Sequence, residues 1–418
     1  MAADRNHAPD LLHSGRPGPE PRGEPTAISG RDSQPLIYLD HAATSWPKPE
    51  AVIEAMTRCL RDVGANPGRS GHRRSIEAGR LVYAAREALA ELVHAGSPLR
   101  IVFGANATEG LNLALHGLLG PGSHVVTSGM EHNSVMRPLR TLESRGVRVT
   151  VVSCRPDGSL DPAGMESAIG PDTALLALTH ASNVCGTLLP IKAAGEIARR
   201  HDLLLLVDAA QTAGAVPIDV QADGIDLLAF TGHKSLLGPT GTGGLYIGER
   251  VDLARFQPLK QGGTGSLSER EAHPGFLPDL AESGTPNVAG LAGLAAGVRW
   301  VLERGVDVIR SHEQVLSRRL IEGLKNIPGV QLHGGGDPSR QTGTVSFNVS
   351  GMTPSDVGLR LDEEFGILCR VGLHCAPAAH RTLGTYPGGS VRFALGCFTT
   401  AAEVDLALAA VEQIARSR

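Results

Sequence analysis

The chain has 418 residues, of which 41% are hydrophobic and 20% are charged, and its formal net charge is −4. This length suits two domains, and the composition is ordinary for a globular protein. The charge gives no reason to expect nucleic-acid binding. We expect no membrane span, because no run of about 18 apolar residues occurs. The N-terminus lacks an apolar signal core, and six cysteines without a CxxC pair predict free thiols in a reducing cytoplasm.

Residues 1–35 are rich in Pro, Gly and charged residues and show no regular period, which predicts a disordered tail. Strands and helices alternate after this segment. Strands are predicted at 101–103, 124–128, 147–153, 174–180, 203–211, 226–232 and 243–248, and helices at 108–119, 134–146 and 191–201. The apolar run LLLLV at 203–207 is typical of a parallel strand covered on both faces. The pattern predicts an α/β fold with a mostly parallel central sheet and helices on both faces.

The pattern changes after about residue 300. A helical region at 306–327 is followed by separated strands and a last helix that begins near residue 401. The strands are predicted at 344–350, 367–371 and 390–395. We therefore expect a large domain over residues 36–300 and a smaller α+β domain over residues 301–418.

Polar residues follow two of the predicted strands. Asp208 follows a strongly apolar run, at the strand end where ligands bind in open α/β sheets. A carboxylate buried there needs a cationic partner, and a pyridinium nitrogen is one. Lys234 follows the next strand and precedes a Gly-rich loop, with Thr231 and His233 able to reach a phosphate. Taken alone, Asp208 could be a structural residue that caps the next helix, and Lys234 could be a solvated surface lysine.

The segment IVFGANATEGLNLAL reads as a strand, a Gly turn and a helix. The first turn of a helix offers free N–H groups and a positive dipole end to a phosphate. Ala107 and Thr108 lie at that point. Many strand–helix turns have this form, so the segment by itself is weak support for a phosphate site.

Seven segments occur in an order that one enzyme family shares. They are YLDHAATSWPKP (38–49), MEHNSV (130–135), HASNVCGT (180–187), VDAAQ (207–211), TGHK (231–234), SGTPN (283–287) and RVGLHCAP (370–377). In these segments the chain resembles the class V enzymes of pyridoxal 5'-phosphate (PLP), and specifically the cysteine desulfurase and selenocysteine lyase family. The resemblance implies the PLP-dependent transferase fold type I, with a mostly parallel seven-stranded sheet and a smaller C-terminal α+β domain.

The resemblance also implies a role for individual residues. Lys234 holds PLP as a Schiff base, Asp208 pairs with the ring nitrogen, and His132 stacks on the ring. Gln211 and Asn183 contact the phenolic oxygen of the ring or lie near the substrate. The phosphate contacts are Ala107, Thr108, Thr231, His233 and, from the neighbouring subunit of a homodimer, Thr285. The substrate contacts are Arg392 as the carboxylate clamp, together with Asn183, His41 and Arg370.

Two positions depart from the family pattern. His41 stands where relatives often have Asn, which alters contacts on the substrate side. Ala107 stands where relatives commonly have Thr, so one hydroxyl contact to the phosphate is lost while the backbone N–H groups remain. The short stretch around Cys375 resembles the group II branch, whose sulfur transfer usually needs a dedicated acceptor protein.

Cys375 matches the sulfur-accepting cysteine of the family. It lies in the segment GLHCAPAAH, which reads as a loop where a thiol is accessible and where an imidazole can poise a thiolate. A buried structural thiol is the commonest alternative for any cysteine. A zinc site formed with Cys369, His374 and His380 is a further alternative, but the spacing is not a common one and we expect no metal.

The resulting hypothesis is a PLP-dependent cysteine desulfurase. It converts L-cysteine to L-alanine and leaves a persulfide on Cys375 for an acceptor. The alternatives on the same scaffold are a selenocysteine lyase acting on L-selenocysteine, another C–S lyase or an aminotransferase. A PLP-free scaffold that acts in binding or sulfur relay is the alternative from another class, and the presence of Lys234, Asp208 and His132 argues against it.

Overall fold

The computed structural model of the protein describes residues 36–68 and 71–417. The tail predicted at 1–35 lies outside the described residues. The strands are β1 (Ile37–Tyr38), β2 (Ile101–Gly104), β3 (His124–Ser128), β4 (Arg148–Val152), β5 (Thr173–Thr179), β6 (Leu204–Asp208), β7 (Leu227–Thr231), β8 (Gly243–Ile247), β9 (Val330–His333), β10 (Thr344–Val349), β11 (Ile367–Leu368), β12 (Arg370–Gly372) and β13 (Ser390–Ala394). The helices are α1 (Glu50–Arg58), α2 (Arg73–Leu92), α3 (Ala107–Leu118), α4 (Asn133–Glu143), α5 (Pro162–Ser167), α6 (Ile191–Arg200), α7 (Val288–Arg304), α8 (Val306–Lys325), α9 (Pro354–Phe365), α10 (Pro377–Thr382) and α11 (Ala401–Arg416).

The central sheet has seven strands in the order β2-β8-β7-β6-β5-β3-β4. The five strands from β4 to β7 pair in parallel, and β8 is antiparallel to both of its neighbours. The predicted mostly parallel α/β sheet is therefore confirmed. A parallel sheet collects the carboxyl ends of its strands at one edge, which is where polar residues follow β5, β6 and β7.

Side chains of the central strands alternate between two apolar cores. In β6, Leu205 and Val207 pack in a core with α2, α6 and α7. Leu206, between them, packs on the opposite face with α3 and α4. Successive residues of a strand point to opposite faces, so a strand covered by helices on both sides must be apolar throughout. This packing explains the continuous run LLLLV.

The C-terminal part of the chain forms a second sheet, antiparallel, in the order β12-β13-β10-β9. A third apolar core lies between this sheet and α8, α9 and α11. The first strand of the chain belongs here, because Ile37 pairs with Ile367 of β11 in parallel and both are buried in the third core. The boundary between residues 300 and 301 stays a prediction, although the segment that precedes α1 packs with the C-terminal part.

The prediction of a single strand over residues 367–371 is wrong. The chain breaks at Cys369 into β11 and β12, which lie in different sheets. The cause is that Leu368 pairs with Tyr38, whereas Arg370 pairs with Arg392 of β13. Among the residues that the structure describes, none of the helices combines the length and the apolar character needed to cross a bilayer.

Candidate active site

A cavity of about 180 Å³ opens at the carboxyl ends of β5, β6 and β7. Nine of the residues predicted from the sequence line it. These are Ala107, Thr108, His132, Asn183, Asp208, Gln211, Thr231, His233 and Lys234. The strand ends and the first turns of α3 and α4 bring these residues together, although they lie up to 127 positions apart in the sequence.

Asp208 and Lys234 form the charged centre of the cavity. Asp208 is the last residue of β6, is 5% exposed, and accepts a hydrogen bond from the N–H of Ala210 at 3.0 Å. Burial raises the pKa of Asp208. Burial of its amine lowers the pKa of Lys234 to about 8, and the carboxylate of Asp208 opposes that shift. A lysine amine with a lowered pKa is uncharged in part of the population, and the uncharged amine can attack a carbonyl carbon. A buried carboxylate requires a cation beside it.

Polar atoms without partners mark one side of the cavity. The hydroxyl of Thr231 and Nδ1 of His233 are buried and have no hydrogen-bond partner among the described residues. The N-terminus of α3, capped by Asn106, faces the same space. The hydroxyl of Thr108 lies 2.7 Å from that of Ser134. Buried polar groups are normally hydrogen-bonded, so this set fits an anionic group such as a phosphate.

His132 caps the N-terminus of α4 and lines the cavity from another side. Its Nδ1 accepts a hydrogen bond from the N–H of Ser134 at 3.1 Å, which fixes the orientation of the ring. Burial, followed by the positive charges of Lys234 and Arg370, lowers the pKa of His132 to about 4. The imidazole is therefore neutral near pH 7 and offers an uncharged aromatic face to the cavity.

Arg392 lies behind Asn183 rather than in the lining of the cavity. Only 1% of its side chain is exposed, and it donates to Asp40 at 2.6 Å and to the backbone oxygen of Asn183 at 2.9 Å. Its Nε is buried and has no partner among the described residues. The role of carboxylate clamp stays a prediction for Arg392, and one arm of the guanidinium is already bound to Asp40.

Cys375 lies beside the cavity, and its side chain is exposed although its neighbours His374 and Ala376 are buried. Its Sγ is 3.6 Å from Nη2 of Arg370, and its carbonyl accepts a hydrogen bond from the N–H of Asn133. The side chain of Asn183 donates to the carbonyl of the preceding residue, His374, at 2.7 Å. A residue of the cavity lining thus holds the backbone of the loop that carries the thiol.

Three other cysteines are in environments that disfavour a thiolate. Burial raises the pKa of Cys154 to about 11 and that of Cys369 and Cys397 to about 12. Over residues 36–68 and 71–417, no group of three His, Cys, Asp or Glu side chains is arranged to hold a metal ion. The alternative of a zinc site around Cys375 therefore has no support in the geometry.

His41 and Thr285 do not line the cavity. The ring of His41 packs edge-on against Tyr38, with the ring centroids 5.0 Å apart, and burial lowers the pKa of His41 to about 4. Thr285 lies in a second cavity of about 190 Å³, together with Lys260 and Glu282. Their predicted contacts with substrate and phosphate stay predictions.

Several lining residues were not identified from the sequence. Asn106, Ser134 and Thr179 all face the cavity. Asn106 had a detectable signal, since it precedes Ala107 at a helix start where an N-cap residue is expected. Asp40, the partner of Arg392, gave no such signal, because the two residues are 352 positions apart.

The comparisons with known proteins agree with this arrangement. The family model for aminotransferase class-V matches residues 37–407. The chain belongs to the aminotransferase class-V family. A probable cysteine desulfurase of Methanothermobacter thermautotrophicus is 38% identical over 91% of this chain and 94% of its own length. A cysteine desulfurase of Klebsiella pneumoniae is 37% identical over 92% and 94% of the two chains.

Solved structures of this class-V family resemble the chain in fold. The apo structure of a cysteine desulfurase from Thermococcus onnurineus has a TM-score of 0.86 and 34% identity, over 92% of this chain and 95% of that one. The cysteine desulfurase CsdA of Escherichia coli, solved as an S-sulfonic acid, has a TM-score of 0.81 and 30% identity, over 91% and 95% of the two chains. The cofactor is pyridoxal phosphate. The buried Asp208, the enclosed amine of Lys234 and the free polar atoms of Thr231 and His233 fit such a group.

Proposed function

We propose that Cys375 accepts the sulfur atom of L-cysteine as a persulfide while the remainder of the substrate leaves as L-alanine. The protein is a PLP-dependent cysteine desulfurase. The observation that carries the role of Cys375 is its exposed thiol, 3.6 Å from the guanidinium of Arg370 and next to a loop residue bound by Asn183 of the cavity. A thiolate is the nucleophilic form of a cysteine side chain.

Residues of the cavity supply the groups that bind the cofactor. Lys234 would hold it covalently, Asp208 would pair with its ring nitrogen, and the ring of His132 would lie against its face. Thr108, Thr231 and His233, with the N–H groups at the start of α3, hold the phosphate. Gln211 and Asn183 lie beside the ring. When bound, the cofactor supplies an electron sink for the α-carbon of the substrate.

The amine of Lys234 has a second task, which is to move a proton. A pKa lowered to about 8 leaves part of the amine population unprotonated near neutral pH, so it can take a proton from the substrate. The substrate carboxylate requires a cation, and Arg392 and Arg370 are the two guanidinium groups beside Asn183 and Cys375. Arg392 is the stronger candidate because its buried Nε has no partner among the described residues.

Three further proposals concern the surroundings of the enzyme. We propose a homodimer in which Thr285 contacts the phosphate bound by the other subunit, since Thr285 does not line the cavity of its own chain. An acceptor protein removes the sulfur from Cys375, which is the one exposed thiol of the six cysteines. All six cysteines are free, which supports a reducing compartment such as the cytoplasm.

The test of this function is product analysis. Purified protein with a visible cofactor band is incubated with L-cysteine and a thiol reductant, and alanine and sulfide are measured. We expect Lys234→Ala to lower alanine formation by about a thousandfold, because both cofactor attachment and proton transfer are lost. Lys192→Ala, on the exposed side of α6, is the matched control and should keep the wild-type rate.

Two results would contradict the proposal. One is equal alanine formation by Lys234→Ala and wild type. The other is alanine formation from L-selenocysteine with none from L-cysteine, which would make selenocysteine the substrate.

A further inference from the structure

The loop that carries Cys375 has a strained backbone. His374 and Cys375 have φ angles of 47° and 57°, both in the left-handed region. Residues other than glycine rarely adopt this conformation, and two in succession persist only where the surrounding structure holds them. The contacts of these two residues therefore decide where the Cys375 thiol lies.

The backbone of this strained pair is held at two points. The carbonyl of His374 accepts a hydrogen bond from the side chain of Asn183 at 2.7 Å. The carbonyl of Cys375 accepts one from the N–H of Asn133 at 2.9 Å, at the start of α4. Asn183 lines the cavity, and Asn133 follows His132, which also lines it. These two hydrogen bonds therefore attach the loop to the wall of the cavity.

The side chain of His374 provides a third tie, to a different element. It is 2% exposed, and its Nε2 lies 3.2 Å from the hydroxyl of Ser390. Ser390 donates its only hydroxyl proton to Ser346, and Ser346 donates in turn to the carbonyl of Val184 at 2.6 Å. Because the proton of Ser390 is already used, Nε2 of His374 must be the donor. The chain of hydroxyl groups thus fixes the Nε2–H tautomer of His374.

The neighbours of His374 keep its ring uncharged. Burial is the main cause that lowers the pKa of His374 to about 2. Electrostatic repulsion from Arg392, His380 and Arg370 lowers it further. The ring of His380 lies 5.4 Å away, centroid to centroid. The imidazole is therefore a neutral hydrogen-bond donor near pH 7.

Strand β13, which carries Ser390, also positions Arg370. Ser390 and Arg392 are both in β13, where Ser390 pairs with Gly372 and Arg392 pairs with Arg370 of β12. The ladder of β12 and β13 thus carries the guanidinium that lies 3.6 Å from the Cys375 thiol. Because His374 contacts Ser390 of β13, the loop that follows β12 holds the thiol of Cys375 next to the guanidinium of Arg370.

We propose that His374 is a positioning residue: its hydrogen bond to Ser390 stabilises the left-handed turn that holds the Cys375 thiol beside Arg370. The inference rests on the proposed role of Cys375 as sulfur acceptor, and it adds the group that orients this nucleophile. Gln is the conservative replacement, since its amide N–H reaches about as far as Nε2 of histidine. Ala removes the donor.

The experiment measures the reactivity of the thiol directly in the holoenzyme. Iodoacetamide alkylation of Cys375 at pH 7 is followed by peptide mass spectrometry in wild type, His374→Ala and His374→Gln. We expect alkylation to be roughly tenfold slower in His374→Ala, because the thiol leaves the position beside Nη2 of Arg370 at which the loop holds it. We expect His374→Gln to stay within about twofold of wild type, and turnover of L-cysteine to follow the same order with unchanged KM and cofactor absorption.

Two more variants keep the test decisive. Ser390→Ala removes the hydroxyl that Nε2 of His374 contacts, while the backbone of Ser390 stays in place. This variant should also slow alkylation, and it serves if His374→Ala does not fold. His124→Gln is the matched control, since His124 is a buried histidine of β3 whose ring nitrogens contact the hydroxyls of Thr173 and Thr150. Its alkylation rate should equal that of wild type.

Several outcomes would overturn the inference. These are alkylation that is unchanged or faster in His374→Ala, a Gln variant as slow as the Ala variant, or an equal loss in His124→Gln. Cys375→Ala is assayed in parallel for turnover of L-cysteine. Full turnover in that variant would refute the proposed function, whereas normal alkylation in His374→Ala would refute only the role of His374.

Discussion

At the scale of single residues, burial decides the charge of the groups in the cavity. Burial raises the pKa of Asp208 and lowers that of Lys234 to about 8 and that of His132 to about 4. A carboxylate kept from water in this way needs a cation, and the ring nitrogen of the cofactor is the cation that the proposal assigns to Asp208. The strength of this pair is a testable quantity.

We predict that Asp208→Asn keeps the fold and bound cofactor but lowers the turnover of L-cysteine by roughly 100-fold. The loss of a buried charge partner costs about 3 kcal/mol, and each 1.4 kcal/mol is about a factor of ten in rate. Steady-state alanine formation per bound cofactor is the measurement. Asp226→Asn is the control, because Asp226 is also buried but lies at the other end of the parallel strands, where it binds the N–H of Leu205.

Turnover of Asp208→Asn within a factor of about three of wild type would contradict this account of the pair, because that factor is worth less than 1 kcal/mol. A similar rate loss in Asp226→Asn would also contradict it, since the effect would then come from damage to the core.

Most of the candidate site could be predicted because its residues lie in short segments next to strand ends. Asp208 and Lys234 follow apolar runs, and the order of seven segments assigned His132 and Cys375. The contacts that join these segments could not be predicted. The pair of Asp40 with Arg392 and the bond from Asn183 to His374 join residues 352 and 191 positions apart, and nothing in the local sequence specifies such pairs.

At the scale of elements, the segment before α1 holds the backbone of His233 and Lys234. The carbonyl of His233 accepts hydrogen bonds from the N–H of Ser45 at 2.9 Å and from the side chains of Thr44 and Lys48 at 3.0 and 2.9 Å. The hydroxyl of Ser45 donates to the carbonyl of Lys234 itself at 2.8 Å. The turn after β7 is therefore fixed by a segment almost 190 residues earlier in the chain.

We predict that Ser45→Ala lowers the free energy of unfolding by about 1–2 kcal/mol, because the carbonyl of Lys234 loses one of its two donors and keeps only the N–H of Leu237 at 2.9 Å. In a chain of this size that change corresponds to a fall in Tm of a few degrees, roughly 2–5 °C. Ser144→Ala is the control, since the hydroxyl of Ser144 is exposed and bonds only within the last turn of α4. Thermal unfolding of both variants is the measurement, and equal Tm values would refute the role of Ser45.

Continuous apolar runs that alternate with helices predicted the strands of the central sheet to within a few residues. The alternation of their side chains between two helix layers makes that signal strong. The division of residues 367–371 between two sheets could not be predicted in this way, because each half depends on a different distant partner. Periodicity reports which face is buried, and it does not report which strand lies alongside.

At the scale of the whole molecule, the proposed homodimer depends on Thr285, which lies outside the candidate cavity of its own chain. Thr285 lies in a second cavity with Lys260 and Glu282, and Glu282 forms an ion pair with Arg86 at 2.6 Å. The predicted phosphate contact of Thr285 therefore requires the cavity of another copy of the chain. Activity should depend on assembly for this reason.

We predict that the active species is a homodimer and that a monomer is inactive. Light scattering at the protein concentration of the assay gives the mass, and dilution into the assay tests whether activity falls as dimers dissociate. Thr285→Ala should weaken cofactor binding by about 1.5 kcal/mol without changing the mass of the dimer, since that is the low end of the contribution of a hydrogen bond to a charged group. A stable monomer with full activity would refute the shared site.

The most direct test of the central claim is the product analysis of Cys375→Ala. We predict that this variant keeps the cofactor spectrum and the Tm of wild type, because the cofactor contacts proposed above do not include the thiol. It should lose at least 99% of alanine formation from L-cysteine, about 3 kcal/mol of the barrier, and wild type should carry one extra sulfur atom on the Cys375 peptide after a single turnover. Unchanged alanine formation in a variant with normal cofactor content, or extra sulfur on another cysteine, would contradict the account.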